Sequence, residues 1–284
     1  MREYSAMALI RSIPRSQLWQ CGMLALLIVS CVAFASNARA WSWADVMFSV
    51  PTPAEQPVAD WSYEGDTGPS QWGELAPEYA ACKGVDQSPV DLRGARPVPY
   101  TPISFHYRSN PLNMVNDGRQ ILVRYKPGSY IIVGGRRYEL TDFHFHLPGE
   151  HRIEGSVADM ELQLHHRDAQ GRFAVVAIPV KAGRRRNSTL SRILDHMPPL
   201  GGESYYGRQV GINALFLLPP ERGYFSYVGS LTEPPCTGGV EWFVLTSPLE
   251  VDAGYLHRVG QVTGGNARPV QPLNGRSVFA VMRR

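Results

Sequence analysis

A mostly-β domain with one large antiparallel or mixed sheet is the fold that the sequence predicts. Three observations carry that reading. Seven segments are rich in β-branched and aromatic residues and are bounded by Gly, Pro and Asp. Turn-forming residues separate several of them. Only one stretch has a clear helical pattern.

The expected strands, in order, are Gln120–Tyr125, Tyr130–Val133, Tyr138–Leu147, Met160–His166, Phe173–Val180, Ile212–Leu218 and Val240–Leu245. Asn116-Asp117-Gly118 and Pro127-Gly128 supply turn chemistry between strands. The expected helix is Leu190–His196, with Ser188 as its N-cap candidate. A chain of 284 residues, 44% hydrophobic and 19% charged, can fill one or two globular cores. From Trp61 to the C-terminus it reads as one unit, without repeats or a long linker.

The first forty residues read as a cleaved export signal. Arg2, Arg11 and Arg15 form a basic start, Cys21 to Ala35 is a short apolar run, and Ala38-Arg39-Ala40 fits a cleavage site. The mature chain is then expected to begin at Trp41, in the periplasm or outside the cell. A second reading takes Ile28-Val29-Ser30-Cys31 as a lipoprotein box, with Cys31 lipidated and the protein membrane-anchored. An uncleaved anchor is the third reading. Residues 41–60 carry Pro51, Pro53 and Pro57 and read as a tether.

Removing the leader leaves 24 basic and 24 acidic residues, so the formal charge of +3 belongs to the leader. A balanced mature chain gives no reason to expect nucleic acid. The run Arg184-Arg185-Arg186 reads as a solvated loop. Cys82 and Cys236 remain after export, and two cysteines in an oxidising compartment most simply pair. Two separately buried thiols are the alternative.

Strand alternation organises the chemistry. Phe143, Phe145 and Leu147 share one face, and Asp142, His144 and His146 share the other. On the next strand Met160, Leu162 and Leu164 face one way, while Glu161, Gln163 and His165 face the other. If the two strands pair, the polar rows meet across one pocket. Two imidazoles on one strand and one ligand from its neighbour suit a three-point zinc site with an open fourth position. The plain alternative is a set of satisfied polar side chains, since His-x-His alone is a weak motif.

Longer motifs surround this pair. Phe143-His144-Phe145-His146, Pro148-Gly149-Glu150-His151 and Glu161-Leu162-Gln163-Leu164-His165-His166 follow one another. Asp86-Gln87-Ser88-Pro89-Val90 lies upstream. Gly229-Ser230-Leu231-Thr232-Glu233-Pro234-Pro235-Cys236, Trp242 and Asn266-Ala267-Arg268-Pro269-Val270-Gln271-Pro272-Leu273 lie downstream. Together, in this order, they resemble the α-carbonic anhydrases from about Trp61 to the C-terminus. The resemblance implies a single domain with a large central twisted, mainly antiparallel sheet, a few short helices and a conical cavity reaching a zinc ion. It also implies a Cys82–Cys236 disulfide, as in exported bacterial members.

The family's chemistry is reversible CO2 hydration, so CO2 and bicarbonate are the implied substrates and Zn2+ the implied cofactor. Zinc lowers the pKa of its water to about 7, and the resulting hydroxide attacks CO2. His144 and His146 match the first two ligands. Thr232 matches the hydroxyl that orients the attacking oxygen, and Glu150 the carboxylate that accepts from that threonine. Glu161 matches the group that orients the third ligand. Leu231, Val175 and Trp242 match the apolar wall for CO2. Tyr63 and Asn266 match groups near the proton path and its surroundings.

The departures from the family pattern cluster in one place. Gln163 stands where a third histidine is expected. His165 stands where a wall residue, usually valine, is expected. Glu233 replaces a small hydroxyl residue that contacts bicarbonate. Arg119 replaces a proton-shuttling histidine, and guanidinium cannot shuttle near neutral pH. Asp142 replaces an amide beside the first ligand. Gln163 can offer its amide oxygen to zinc, a weaker donor than imidazole. Asp142 and Glu233 add negative charge, which strengthens metal binding while raising the pKa of bound water. His165 lies about 6.5–7 Å along the strand from Gln163. It reads as a wall residue, with a proton relay, or a ligand brought in by a bulge, as alternatives. Two functions follow. One is a slower carbonic anhydrase with a His2Gln zinc site. The other is a carbonic-anhydrase-related binding or scaffold protein without a working metal.

Overall fold

β-Branched and aromatic runs pair side by side because each strand must bury an apolar face and satisfy its backbone hydrogen bonds. The computed structural model describes residues 60–184 and 186–282. The expected leader, and all of the expected tether but Asp60, lie outside the described residues. Among the described residues thirteen strands join one large mixed sheet.

Along its main path lie Ser204–Ile212, Asn110–Asn116, Ile121–Arg124, Arg136–His146, Met160–Arg167, Phe173–Ala182, Gly238–Leu245, Tyr224–Ser230, Phe279–Val281 and Arg96–Pro97. Most neighbours are antiparallel. Phe173–Ala182 runs parallel to Gly238–Leu245, and Phe279–Val281 parallel to Arg96–Pro97.

Period-two alternation sorts the sheet into two faces. On Phe173–Ala182, Val176, Ile178 and Val180 join the main core with Phe143, Phe145, Leu162 and Leu164. Val175 and Ala177 join a second cluster with Leu231, Trp242 and Val244. The polar rows on Arg136–His146 and Met160–Arg167 lie on this second face.

Helix α1, Ser188–Asp195, buries Leu190, Ile193 and Leu194 at the spacing of one helical stripe. Its N-cap is Asn187, not Ser188: Asn187 Oδ1 accepts from the Leu190 amide at 2.9 Å. Helix α2, Ala253–Thr263, was not expected. It contains Gly254 and Gly260 and buries only Val259 and Thr263, so its periodic signal is weak. The expected strand Ile212–Leu218 is corrected. A strand ends at Ile212, and Ala214–Leu217 is a 3-10 helix capped by the Asn213 side chain on Leu215 N, 2.9 Å. A short apolar run does not by itself separate strand from helix.

Cys82 and Cys236 form a disulfide. It ties the 3-10 helix Pro77–Lys83 to the loop after Tyr224–Ser230.

Candidate metal centre

The sheet register sets the site out as a grid. Arg136–His146 pairs with Met160–Arg167 so that Asp142 faces His165, His144 faces Gln163, and His146 faces Glu161. The next strand extends each row, with Val175 beside His165, Ala177 beside Gln163 and Pro179 beside Glu161. Trp242 then continues the Asp142–His165–Val175 row. Cross-strand neighbours hold their Cβ atoms about 4.5–5.5 Å apart, within reach of one ion.

The two histidines of the first strand are held differently. His146 Nδ1 lies 2.7 Å from the carbonyl oxygen of Asn266. A carbonyl only accepts, so Nδ1 carries the proton and Nε2 keeps a bare lone pair. Asn266 is itself fixed, donating Nδ2–H to Phe145 O at 2.8 Å and accepting from Leu147 N at 2.8 Å. Both ring nitrogens of His144 lack a hydrogen-bond partner. Its Nδ1 lies 3.8 Å from Asp142 Oδ1, an ion-pair distance too long for a hydrogen bond.

Gln163 is fully buried and its amide is oriented by two carboxylates. Nε2 donates to Glu150 Oε2 at 2.7 Å and to Glu161 Oε1 at 2.9 Å. An amide nitrogen has two protons, so both are used. The opposite atom, Oε1, is buried and unpartnered. Glu161 and Glu150 together therefore fix the orientation of the Gln163 amide. Burial alone would raise the Glu161 pKa, but the facing His151, with Gln163, outweighs it and holds the carboxyl at about 2.

Glu150 departs from expectation. Oε2 takes the Gln163 amide, and Oε1 takes the Arg268 backbone N–H at 2.8 Å. Thr232 is buried, but among the described residues its hydroxyl makes no hydrogen bond to Glu150. The donors that Glu150 does accept from are the Gln163 amide and the Arg268 backbone N–H.

Whether these residues fit a metal can be judged from their unsatisfied atoms. Both nitrogens of His144, Nε2 of His146, Oε1 of Gln163 and Nε2 of His165 are all buried without partners. A buried polar atom left unpaired costs about 1–3 kcal/mol. Neutral imidazoles and an amide oxygen are also zinc donors. His144 is kept neutral because burial, reinforced by His165, pushes its pKa down to about 3. The donor set fits a divalent zinc-type ion.

Residues 67–282 match the family of eukaryotic-type carbonic anhydrases. The chain belongs to that family. It is 39% identical over 236 residues to a carbonic anhydrase of Nostoc sp., covering 81% of this chain and 89% of that protein. It is 33% identical to a carbonic anhydrase of Neisseria gonorrhoeae over 272 residues, covering 95% and 98%. Among solved structures, the α-carbonic anhydrase of Thermovibrio ammonificans superposes with a TM-score of 0.76 at 38% identity, covering 78% of this chain and 99% of that one.

The remaining carbonic anhydrase positions surround the grid. Leu231, Val175 and Trp242 share one apolar cluster. Trp242 Nε1 donates to Ser230 O at 2.9 Å, which anchors the loop carrying Leu231 and Thr232. Glu233, on the same loop, accepts from Gln120 Nε2 at 2.9 Å. Burial, then Asp117, Asp142 and Glu150, raise its pKa to about 8. Arg119 is turned toward Asp60 and Trp61: Nε donates to Trp61 O at 2.7 Å and its guanidinium pairs with Asp60. Tyr63 packs edge-on to Trp61 and Trp72, with its hydroxyl buried and unpartnered.

Sequence reasoning quoted His151 and Arg268 in motifs but gave neither a role. His151 links Glu161, 2.9 Å, to the Tyr227 hydroxyl, 2.7 Å, and Tyr227 continues to Ser88 at 2.8 Å. Arg268 donates from Nη1 to Gln87 Oε1 and Ser88 O, both 2.8 Å. The Gln87-Ser88 and Ala267-Arg268 motifs are thus joined in space, and their shared polarity was the available signal.

Proposed function

We propose that this chain is a carbonic anhydrase that holds zinc through His144 Nε2, His146 Nε2 and Gln163 Oε1, and hydrates CO2 reversibly. One observation carries the reading. Gln163 is clamped through its nitrogen by Glu150 and Glu161, which leaves its oxygen bare on the face shared with the two histidines. A residue drifting free of metal chemistry has no need of that orientation.

Bound zinc supplies Lewis acidity, bringing the pKa of water down to about 7. The chain's own residues do the rest. Asn266 fixes the His146 tautomer, and Glu161 and Glu150 fix the amide. Leu231, Val175 and Trp242 give CO2 an apolar resting wall, with His165 beside Val175. Thr232 lies on the loop beside that wall, where its hydroxyl can orient an attacking oxygen. Arg119 carries no proton out, so proton export falls to buffer and solvent.

The site is weaker than one with three imidazoles, because an amide oxygen is a poorer zinc donor. Export through a cleaved leader, residues 1–40, followed by a tether, residues 41–60, completes the reading. The Cys82–Cys236 disulfide suits an oxidising compartment. The test is metal analysis with a CO2 hydration assay on wild type and Gln163→His. Zinc-dependent hydration in wild type, raised in the variant, is expected. No zinc and no hydration in either protein would sink the proposal.

A further inference from the structure

We propose that Asp142, His144 and His165 form a second cation point for a divalent transition metal, sharing the His144 ring with the inner set. The inference deepens the function proposed above and rests on His144 being a metal ligand. It does not require Gln163 or His146.

The position of His165 is the first support. Its row places it opposite Asp142, one step along the strand face from Gln163. The register shifts between His165 and His166, a local irregularity in the pairing. The His165 ring centre lies 4.5 Å from that of His144, at 66°. One donor atom from each of Asp142, His144 and His165 fits within a sphere of mutual distances under 4.8 Å. His144 Nδ1 and His165 Nδ1 lie 3.8 Å and 4.0 Å from the same Asp142 oxygen.

Tetrahedral ligands at about 2.0–2.2 Å from zinc stand roughly 3.3 Å apart. The two Asp142 pairs, at 3.8 Å and 4.0 Å, must therefore contract by about 0.5–0.7 Å, and the widest pair in the set, within 4.8 Å, by up to about 1.5 Å. The donors are also chemically ready. His144 is 1% exposed and His165 8% exposed, and His165 Nε2 is unpartnered. Two imidazoles and a carboxylate form a set known to suit first-row divalent metals.

The freedom of His144 makes sharing possible. The His146 tautomer is fixed by the Asn266 carbonyl. No hydrogen bond fixes that of His144. A neutral imidazole offers one lone pair, on either nitrogen. Through Nε2 the ring serves the inner set, and through Nδ1 it serves Asp142 and His165. The two points compete for one ring, so the chain holds one ion at a time.

Equilibrium binding of Co2+ and of Zn2+, read by competition with a chromophoric chelator, tests this. Co2+ visible absorption reports the change of ligand set. His146→Ala removes the inner set, and the outer set is expected to retain one equivalent with a shifted cobalt spectrum. Adding His165→Val, or the near-isosteric Asp142→Asn, to that protein is expected to weaken binding by roughly 100-fold or more, since losing a group that only supports a ligand already costs about 10–100-fold. Circular dichroism establishes that each variant is folded. Loss of all metal from folded His146→Ala protein overturns the outer point and leaves the inner reading standing. So does unchanged affinity when His165 or Asp142 is replaced. No metal in any protein, wild type included, overturns both.

Discussion

Replacing Gln163 by leucine isolates what the amide contributes before any metal binds. The perturbation removes two hydrogen bonds to buried carboxylates, 2.7 Å to Glu150 and 2.9 Å to Glu161. Hydrogen bonds to charged groups contribute about 1.5–3 kcal/mol each, so their loss costs about 3–6 kcal/mol. The same change deletes the unpartnered Oε1, which returns about 1–3 kcal/mol. The expected net destabilisation of the zinc-free protein is near 2–3 kcal/mol. The pH dependence gives a second check. Gln163 helps to hold Glu161 at about 2, below its ordinary 4.5. Stability from a depressed carboxyl is fully present above the unfolded pKa and is lost as pH falls through the folded one. The wild-type advantage should therefore be constant from pH 8 to 5 and shrink as pH falls from 4.5 toward 2. Urea denaturation of metal-free protein across that range measures it. A leucine variant as stable as wild type at pH 7 would refute the clamp.

Three further outcomes are expected. His166 is buried, with Nε2 2.7 Å from the Tyr107 hydroxyl, and burial lowers its pKa from 6.5 to about 3. The unfolded chain binds that proton first, so His166 should account for about 2 kcal/mol of the stability lost between pH 7 and pH 5, and His166→Gln should flatten the wild-type slope by that amount. Replacing Cys82 and Cys236 by serine opens a link between residues 154 apart and should cost about 2–5 kcal/mol, read as a lowered urea midpoint. Arg119→His should raise CO2 hydration at least ~10-fold in weak buffer and little in strong buffer. It should also lower stability by roughly 1 kcal/mol through the lost Trp61 contacts, a guanidinium 4.6 Å from the ring and a 2.7 Å hydrogen bond.

The sequence reading succeeded where a physical period was strong. The row Asp142, His144, His146 was expected to meet the row Glu161, Gln163, His165 if the strands pair, and the register sets Asp142 against His165, His144 against Gln163 and His146 against Glu161. Six long motifs and Trp242, in family order, carried the fold and the disulfide partners. Less was legible where the signal lies in contacts between distant residues. The Gln163 clamp depends on Glu150, 13 residues away, and on the choice between two acceptors, which spacing cannot show. The carbonyl that fixes His146 comes from Asn266, 120 residues on. Glu150 accepts from Gln163 and from the Arg268 backbone N–H, 118 residues on, and no spacing in the sequence shows that pairing. Helix α2 was missed because glycine weakens its pattern, and Ile212–Leu218 was misread because its apolar run suits either element.

The most direct test of the account is the zinc affinity of a series at position 163, measured in a His165→Val background so that the inner set alone is counted. The predicted order is Gln163→His tightest, glutamine intermediate and Gln163→Ala weakest. Each step should be at least roughly tenfold, the smallest effect expected of a ligand change. CO2 hydration should follow zinc occupancy across the series. Equal affinity for glutamine and alanine would contradict the claim that the Gln163 oxygen holds the metal.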